Sequence, residues 1–298
     1  MSEIEVHRET IRKGSKSFSA ASLFFSKKQK EAAWRLYSWC RYCDDQIDDV
    51  PADQAMVRLD QLRKQFALGS KSSSFAFRAL AQLSSEHSIP SGYPLHLLRG
   101  MEMDVVGRRY RTLNELEEYC FCVAGVVGLM MCHVMRVTSD QALRHAVALG
   151  NAMQLTNICR DIREDFARGR VYLPMDWLCE MGISDQEIIS PIHYKGLVLL
   201  QERLLKRADE LYAEGYEGLI YLSFRSAWAV LIAGYVYSFI GTKIKKSLGR
   251  SLDQRIYVTS LEKLILISKA TAVLLGLWIR KRVGKTPFRV PQIVWRFE

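Results

Sequence analysis

The chain has 298 residues, of which 49% are hydrophobic and 25% charged, with only 18 glycines and 7 prolines. That composition is ordinary for a folded globular protein and excludes disordered, collagen-like and low-complexity chains. Lys and Arg number 42 against 32 Asp and Glu, and the whole excess of +10 falls after residue 242: residues 243–298 carry 13 basic side chains against Asp253, Glu262 and Glu298.

The first twenty residues are charged throughout and hold no apolar run of the kind a secretory leader needs. With an odd number of cysteines, seven, the expected compartment is reduced and cytosolic. Next, Gly14, Ser15, Lys16, Ser17 and Phe18 set two hydroxyls and an ammonium in one short polar run, without the spacing of a Walker P-loop. Ala32, Leu36, Trp39 and Cys40 then recur at helical intervals. On the same predicted helix Tyr37, Arg41, Asp44 or Asp45, and Asp48 form a stripe. Asp44 and Asp48 are four residues apart, so their carboxylates repel unless a cation lies between them. Hard divalent metals, Mg²⁺ in particular, take such oxygen ligands and exchange their waters for phosphate.

The stretches 119–135 and 226–242 each run 17 residues without Asp, Glu, Lys or Arg. Each is at the lower limit for crossing a bilayer and is read here as a buried core helix. Between them, Asn157, Asp161 and Asp165 are spaced to share one helical face, with Gln154 a turn earlier and Leu155, Ile158, Ile162 and Phe166 opposite. Two acidic stripes of this kind make a natural site for several metal ions holding a diphosphate, and Arg41 and Arg160 inside them can hold phosphate oxygens directly. Leu261, Leu264, Ile265 and Ser268 show helical spacing again. Pro51, Pro90, Pro94, Pro174 and Pro191 are expected to separate helices, and no hairpin signal occurs. The reading is all-α, about ten helices in one domain over residues 1–298, with a single core. The cysteines lack zinc-site spacing and are expected as buried core thiols, and no dinucleotide fingerprint occurs.

The blocks GSKSF (14–18), YSWCRYCDDQIDD (37–49), YCFCVAGVVGLMM (119–131), QLTNICRDIREDF (154–166), GRVYLP (169–174) and RSAWA (225–229) stand in one order and spacing. In them the chain resembles the squalene/phytoene synthase family, and within it the bacterial phytoene synthases. The resemblance implies an isoprenoid-synthase helical bundle around a deep apolar cavity. It implies a prenyltransferase of carotenoid biosynthesis that joins two geranylgeranyl diphosphates head to head, through prephytoene diphosphate, to phytoene. Metal ions, Mg²⁺ or Mn²⁺, would sit on Asp44, Asp48, Asn157, Asp161 and Asp165. Ser15, Lys16, Ser17, Tyr37, Arg41, Gln154, Arg160, Tyr237 and Arg255 would contact the diphosphates or shape their binding. No NADPH is expected, since only reduction to squalene would need it.

Two other readings remain open. The thirty-carbon branch, making squalene or dehydrosqualene from farnesyl diphosphate, shares the metal motifs, and cavity depth decides between the two. A non-catalytic helical protein docking on anionic membrane through its basic C-terminal segment would leave the complete acidic stripes without a purpose. That segment suits peripheral contact with the inner face of a membrane alongside catalysis; no nucleic-acid module accompanies it. Many relatives carry Tyr-Arg where this chain reads Tyr237-Ser238, which removes a charge at that point.

Overall fold

A computed structural model describes residues 3–247 and 249–282. Thirteen α-helices, and no strand, occur among the described residues, more elements than the ten expected. In chain order they are α1 (Glu3–Gly14), α2 (Lys16–Ser22), α3 (Lys27–Asp48), α4 (Ala52–Leu68), α5 (Phe75–His87), α6 (Gly92–Val105), α7 (Leu113–Cys120), α8 (Val126–Val134), α9 (Asp140–Ala167), α10 (Met175–Glu180), α11 (Tyr194–Glu217), α12 (Phe224–Lys246) and α13 (Ser260–Arg282). Two of the extra helices, α2 and α10, are short pieces whose seven and six residues are too few to show a period.

Local chemistry sets the boundaries. Ser26 caps α3 in a full capping box with Gln29, and Ser139 caps α9 by accepting from the Ala142 amide. Pro51 and Pro174 stand at the N-caps of α4 and α10 as expected, but Pro94 lies inside the first turn of α6. There its missing N–H has no intrahelical partner to lose, so the proline fits.

The buried apolar side chains gather in two large clusters, one around α9, α11 and α12 and one around α3, α5, α6 and α8, with Phe121 and Val123 packed against both. Leu155, Ile158 and Ile162 turn the apolar face of α9 into the first cluster, as their spacing predicts. Leu155 is fully buried, so truncation to alanine there costs about 3 kcal/mol. Between α7 and α8 the backbone widens into a π-helical turn, Phe121–Gly125, so the apolar stretch 119–135 is not one regular helix. Gly150 of α9 packs on this turn so closely that a Cβ would lie 2.6 Å from the Ala124 carbonyl oxygen.

By length and composition Leu113–Val134 and Phe224–Lys246 would each suffice to cross a membrane; half of the first and 72% of the second is buried inside the bundle. The face of α13 that carries Leu261, Leu264 and Ile265 points outward, and Leu266, Ala270, Leu274 and Leu277 supply the buried side instead. Six of the seven cysteines are buried or half-buried; Cys179, at the end of α10, is exposed, contrary to expectation. Ser238 is half-buried on α12, beside Tyr216, and its hydroxyl donates to the Tyr235 carbonyl at 3.2 Å.

Candidate functional site

Three helices bring carboxylates to one cleft. α3 supplies Asp44 and Asp48 at its C-terminal end, α9 supplies Asp161 and Asp165 in its last turns, and α6 supplies Asp104 between them. Asp104 raises the pKa of both Asp44 and Asp165, so it lies within electrostatic reach of each stripe. The sequence reading missed it. A lone acid after Met-Glu-Met has no spacing partner, and only its apolar surroundings could have flagged it.

Asp104 is tightly held. Tyr172 donates to one of its oxygens at 2.7 Å and Tyr119 to the other at 2.9 Å. Burial nevertheless pushes its pKa up to about 6, against the pull of Arg170 and the two phenols. Arg170 and Tyr172 belong to the GRVYLP block, which the sequence reading quoted without assigning either a role. Arg170 donates to Asp48 at 2.7 Å, and Arg168 to the other oxygen of Asp48 at 3.1 Å.

α9 is interrupted at Asp161, where φ −109° and ψ 17° depart from helical values. The even Asn157–Asp161–Asp165 register of an unbroken helix is therefore lost at its middle residue. Both Asp161 oxygens are engaged: Arg160 donates at 2.8 and 2.5 Å, and Arg255, from the segment before α13, at 3.1 Å to each. This fork-to-fork geometry is the strongest available to guanidinium and carboxylate.

Asp44 and Asp165 differ from these. Asp44 opens onto the cleft, but protein on every side thins the water around it. That desolvation, with Asp48 close by, pushes its pKa up to about 7 in spite of Arg41. Half-buried Asp165 is pushed up to about 8 by burial and Asp161, more than Arg170 and Arg168 recover. Arg41 pairs with Asp45 at 2.6 Å.

The donor set suits hard cations. Desolvation and a neighbouring carboxylate keep two carboxyls from ionising readily, and the buried Oδ1 of Asn157 has no hydrogen-bond partner, while its Nδ2 donates to Gln154 at 3.3 Å. Oxygen donors of this kind fit Mg²⁺ or Mn²⁺. No three His, Cys, Asp or Glu side chains converge on a single ion position among the described residues. Asp44, Asp48, Asn157, Asp161 and Asp165 are the oxygen donors that would hold such an ion.

Of the remaining expected residues, Tyr37, Gln154 and Tyr237 line the neck of this cleft, with Phe18 beside them. The Phe18 ring lies 5.1 Å from Tyr237 and 6.4 Å from Tyr37. Ser15 caps α2 by accepting from the Phe18 amide and also hydrogen-bonds Tyr237. Tyr237 sits near Arg160, Asp161 and Arg255, whose charges act on its phenol. Exposed Lys16 is close enough to Lys263 of α13 to help lower its pKa, behind the larger effect of burial. Ser17 lies on α2 and shares no hydrogen bond with the other site residues among those described.

Below the neck an apolar cavity of about 310 Å³ runs into the bundle. α9 lines it from Asn157 and Gln154 through Met153, Gly150 and Ala146 to Ala142, a helical span of about 22 Å. The opposing walls come from the two uncharged stretches, with Val123, Val127 and Met131 on one side and Ala229, Ala233 and Tyr237 on the other. An anionic, cation-ready mouth over a dry tunnel can hold a diphosphate at one end and a long hydrocarbon at the other.

Comparison with known proteins agrees with this arrangement. The family model described as squalene/phytoene synthase matches residues 11–262. The 15-cis-phytoene synthase of Pantoea ananas is 38% identical over 97% of this chain and 96% of its own, and the phytoene synthase of Rhodobacter capsulatus 39% identical over 90% and 80%. Among solved structures, a dehydrosqualene synthase in complex with ligand superposes with a TM-score of 0.82 at 29% identity, covering 92% of this chain and 96% of that one. The squalene synthase HpnC from Alicyclobacillus acidocaldarius gives 0.74 at 26% identity, over 82% and 94%.

Proposed function

The chain belongs to the squalene/phytoene synthase family, and from that premise we propose that it condenses two geranylgeranyl diphosphates head to head, through prephytoene diphosphate, to phytoene. One diphosphate and one proton leave in each of the two steps. The observation that carries this reading is the apolar cavity under the acidic cleft, about 22 Å deep along α9. At about 1.3 Å of advance for each carbon–carbon bond of roughly 1.5 Å, the sixteen-carbon backbone of a geranylgeranyl chain needs roughly 19 Å and the twelve-carbon backbone of farnesyl roughly 14 Å. The longer chain fills the cavity; the shorter leaves its far end empty.

The divalent ions, Mg²⁺ or Mn²⁺, held by Asp44, Asp48, Asn157, Asp161 and Asp165 would supply Lewis-acid stabilisation of the departing diphosphate. Arg41, Arg160, Arg255 and Lys16 add positive charge for diphosphate oxygens, and Ser15, Ser17 and Gln154 add neutral hydrogen bonds. Tyr37 and Tyr237 close the neck over the reacting carbon, and the apolar walls below keep water from an allylic cation. No residue here is assigned to nicotinamide, and the reaction needs none. The basic C-terminal segment supports peripheral contact with anionic membrane on the cytoplasmic side; Lys285, Arg289 and Arg296 of that segment lie outside the described residues, as do the side chains of Arg280, Lys281 and Arg282.

The test is a product assay with Mg²⁺ and without NADPH, supplying geranylgeranyl and farnesyl diphosphate separately, beside Asp44→Ala and Asp161→Ala. Phytoene from the first substrate, lost in both variants, is the expected result. A thirty-carbon product alone would move the chain to the farnesyl branch, and no product from a folded protein would return it to the non-catalytic reading.

A further inference from the structure

α13 is inverted relative to an ordinary surface helix. Its buried side is held by Leu266, Ala270, Leu274 and Leu277, by a hydrogen bond from Trp228 Nε1 to Thr271 Oγ1 at 3.0 Å, and by Trp278 against Phe224. Its outward side is also apolar: Leu261 is 68% exposed, Leu264 59%, Leu275 48% and Ile279 63%, with Ile265, Ala272 and Gly276 in the same band. From Leu261 to Ile279 this band runs about 27 Å along the helix. Exposed Ser268 divides this band and exposed Lys269 borders it, leaving two apolar patches, at 261–265 and at 272–279, on one face. Exposed apolar surface of that extent marks a surface that something covers.

Beside the band, a groove of about 510 Å³ separates α13 from the end of α12. Phe239, Ile256 and Leu266 line its apolar floor, and Lys246 and Arg250, both exposed, stand at its rim. The only acid lining it among the described residues, Glu262, is neutralised by Lys243 at 2.8 Å and receives the Thr259 amide at 2.6 Å. The surface is therefore greasy in the middle and positive at the edge.

We propose that the outer face of α13 and the groove beside it form the membrane-docking surface, seating the protein on an anionic phospholipid leaflet with acyl chains against Leu261, Leu264, Leu275 and Ile279 and headgroup phosphate at Arg250 and Lys246. This deepens the membrane contact of the proposed function and rests on it, moving the apolar anchor from the tail to a folded helix. An apolar helix face bordered by cations is what an interfacial helix presents to lipid. A second copy of the chain fits less well, because a two-fold contact would set one basic rim against another. The position also suits the chemistry, since α12 carries α13 on one side and lines the cavity with Ala229, Ala233 and Tyr237 on the other.

The experiment is co-sedimentation of the full chain with phosphatidylglycerol and with phosphatidylcholine vesicles. It compares wild type, the double variant Leu264→Glu/Leu275→Glu, Arg250→Ala, and a chain ending at residue 282. Product formation from detergent-dispersed substrate and solution mass are measured for each. Wild type should bind phosphatidylglycerol, the double variant should bind at least tenfold more weakly with product formation unchanged, and Arg250→Ala should lose about threefold of the preference for the anionic lipid. Equal binding by wild type and the double variant overturns the assignment to α13 while leaving the membrane reading standing. Loss on truncation at 282 with full retention in the double variant likewise places the anchor in the tail and overturns it. A wild type that binds neither vesicle removes the membrane reading itself. A wild-type dimer that the double variant splits shows a second copy covering the face, and also overturns the proposal.

Discussion

Arg170 and Asp48 meet at 2.7 Å, tying the end of α3 to the loop that follows α9, and Arg168 holds the second Asp48 oxygen at 3.1 Å. The two guanidiniums thus occupy a carboxylate that the proposed reaction would use to hold a cation. The two arginines differ in burial, and so should their variants. Arg168 is 59% exposed, so Arg168→Ala should change unfolding free energy by less than about 0.5 kcal/mol. It should also lower the half-saturating Mg²⁺ about two- to threefold by removing a competitor. Arg170 is 17% exposed and also offsets Asp104 and Asp165, so Arg170→Ala should cost about 2 kcal/mol in metal-free protein, and less with Mg²⁺. Denaturant melts with and without Mg²⁺ check both, and equal costs for the two variants would remove the distinction.

The same cleft sets a pH dependence. In metal-free protein Asp44 and Asp165 hold their protons to about pH 7 and about pH 8, whereas unfolded carboxylates titrate near pH 4. Above about pH 4 the folded state therefore binds more protons than the unfolded one, and the stability these groups contribute falls as pH rises, levelling beyond about pH 8. The melting temperature of metal-free wild type should drop more steeply between pH 5.5 and 8.5 than that of Asp165→Asn. Millimolar Mg²⁺ should restore more at pH 8.5, where the carboxylates are ionised and bind it. Parallel curves for the two proteins, with or without Mg²⁺, would show that the Asp165 carboxyl is not perturbed.

Much of this cleft is legible in the sequence because its key residues obey a period. Asp44 with Asp48, and Asn157 with Asp161 and Asp165, announce themselves by four-residue spacing, and Leu155, Ile158 and Ile162 identify the opposite face of α9. What has no period stays hidden. Asp104 is a single acid whose importance comes from α6 passing between two other helices. Asp161, where α9 is interrupted, is held by Arg255, 94 residues away. Periodicity also places α13 as a helix but cannot say which side is inside, because Leu261, Leu264 and Ile265 repeat as regularly as Leu266, Ala270 and Leu274. Only the packing of Trp228 and Phe224 decides it.

Asp104 makes a separate prediction. Its two oxygens accept from Tyr172 and Tyr119, so Asp104→Asn keeps the shape but turns an amide N–H₂ toward one phenol. One tyrosine hydroxyl must then accept rather than donate, and Tyr119 can still donate to the Tyr172 oxygen at 3.1 Å, so the cost is about 1 kcal/mol. Tyr172 is next but one to Arg170, so the loss should reach Asp48 as misplacement rather than as a missing contact. The expected result is a kcat reduced about tenfold or more and a raised Mg²⁺ requirement, with little change in KM. Unchanged kcat in a destabilised variant would confine Asp104 to holding the fold.

The depth of the cavity gives the last prediction. Ala142 is buried and lies at the end of the α9 lining farthest from Asn157, in a cavity that Leu222 and His145 also line. A phenylalanine at this point would project its ring into open space rather than into packed core, so Ala142→Phe should cost less than about 2 kcal/mol. It would shorten the tunnel by roughly one aromatic ring, about 5 Å, which is close to the difference between geranylgeranyl and farnesyl backbones estimated from bond lengths. The variant should therefore lose most of its turnover with the twenty-carbon diphosphate while keeping or gaining turnover with the fifteen-carbon one. Leu222→Ala should move the other way, accepting a twenty-five-carbon diphosphate that wild type excludes. Both are read by supplying the three diphosphates in competition and resolving the hydrocarbon products by mass. If Ala142→Phe folds and still prefers the twenty-carbon substrate, the chain must lie along another wall, and the depth along α9 does not set its length.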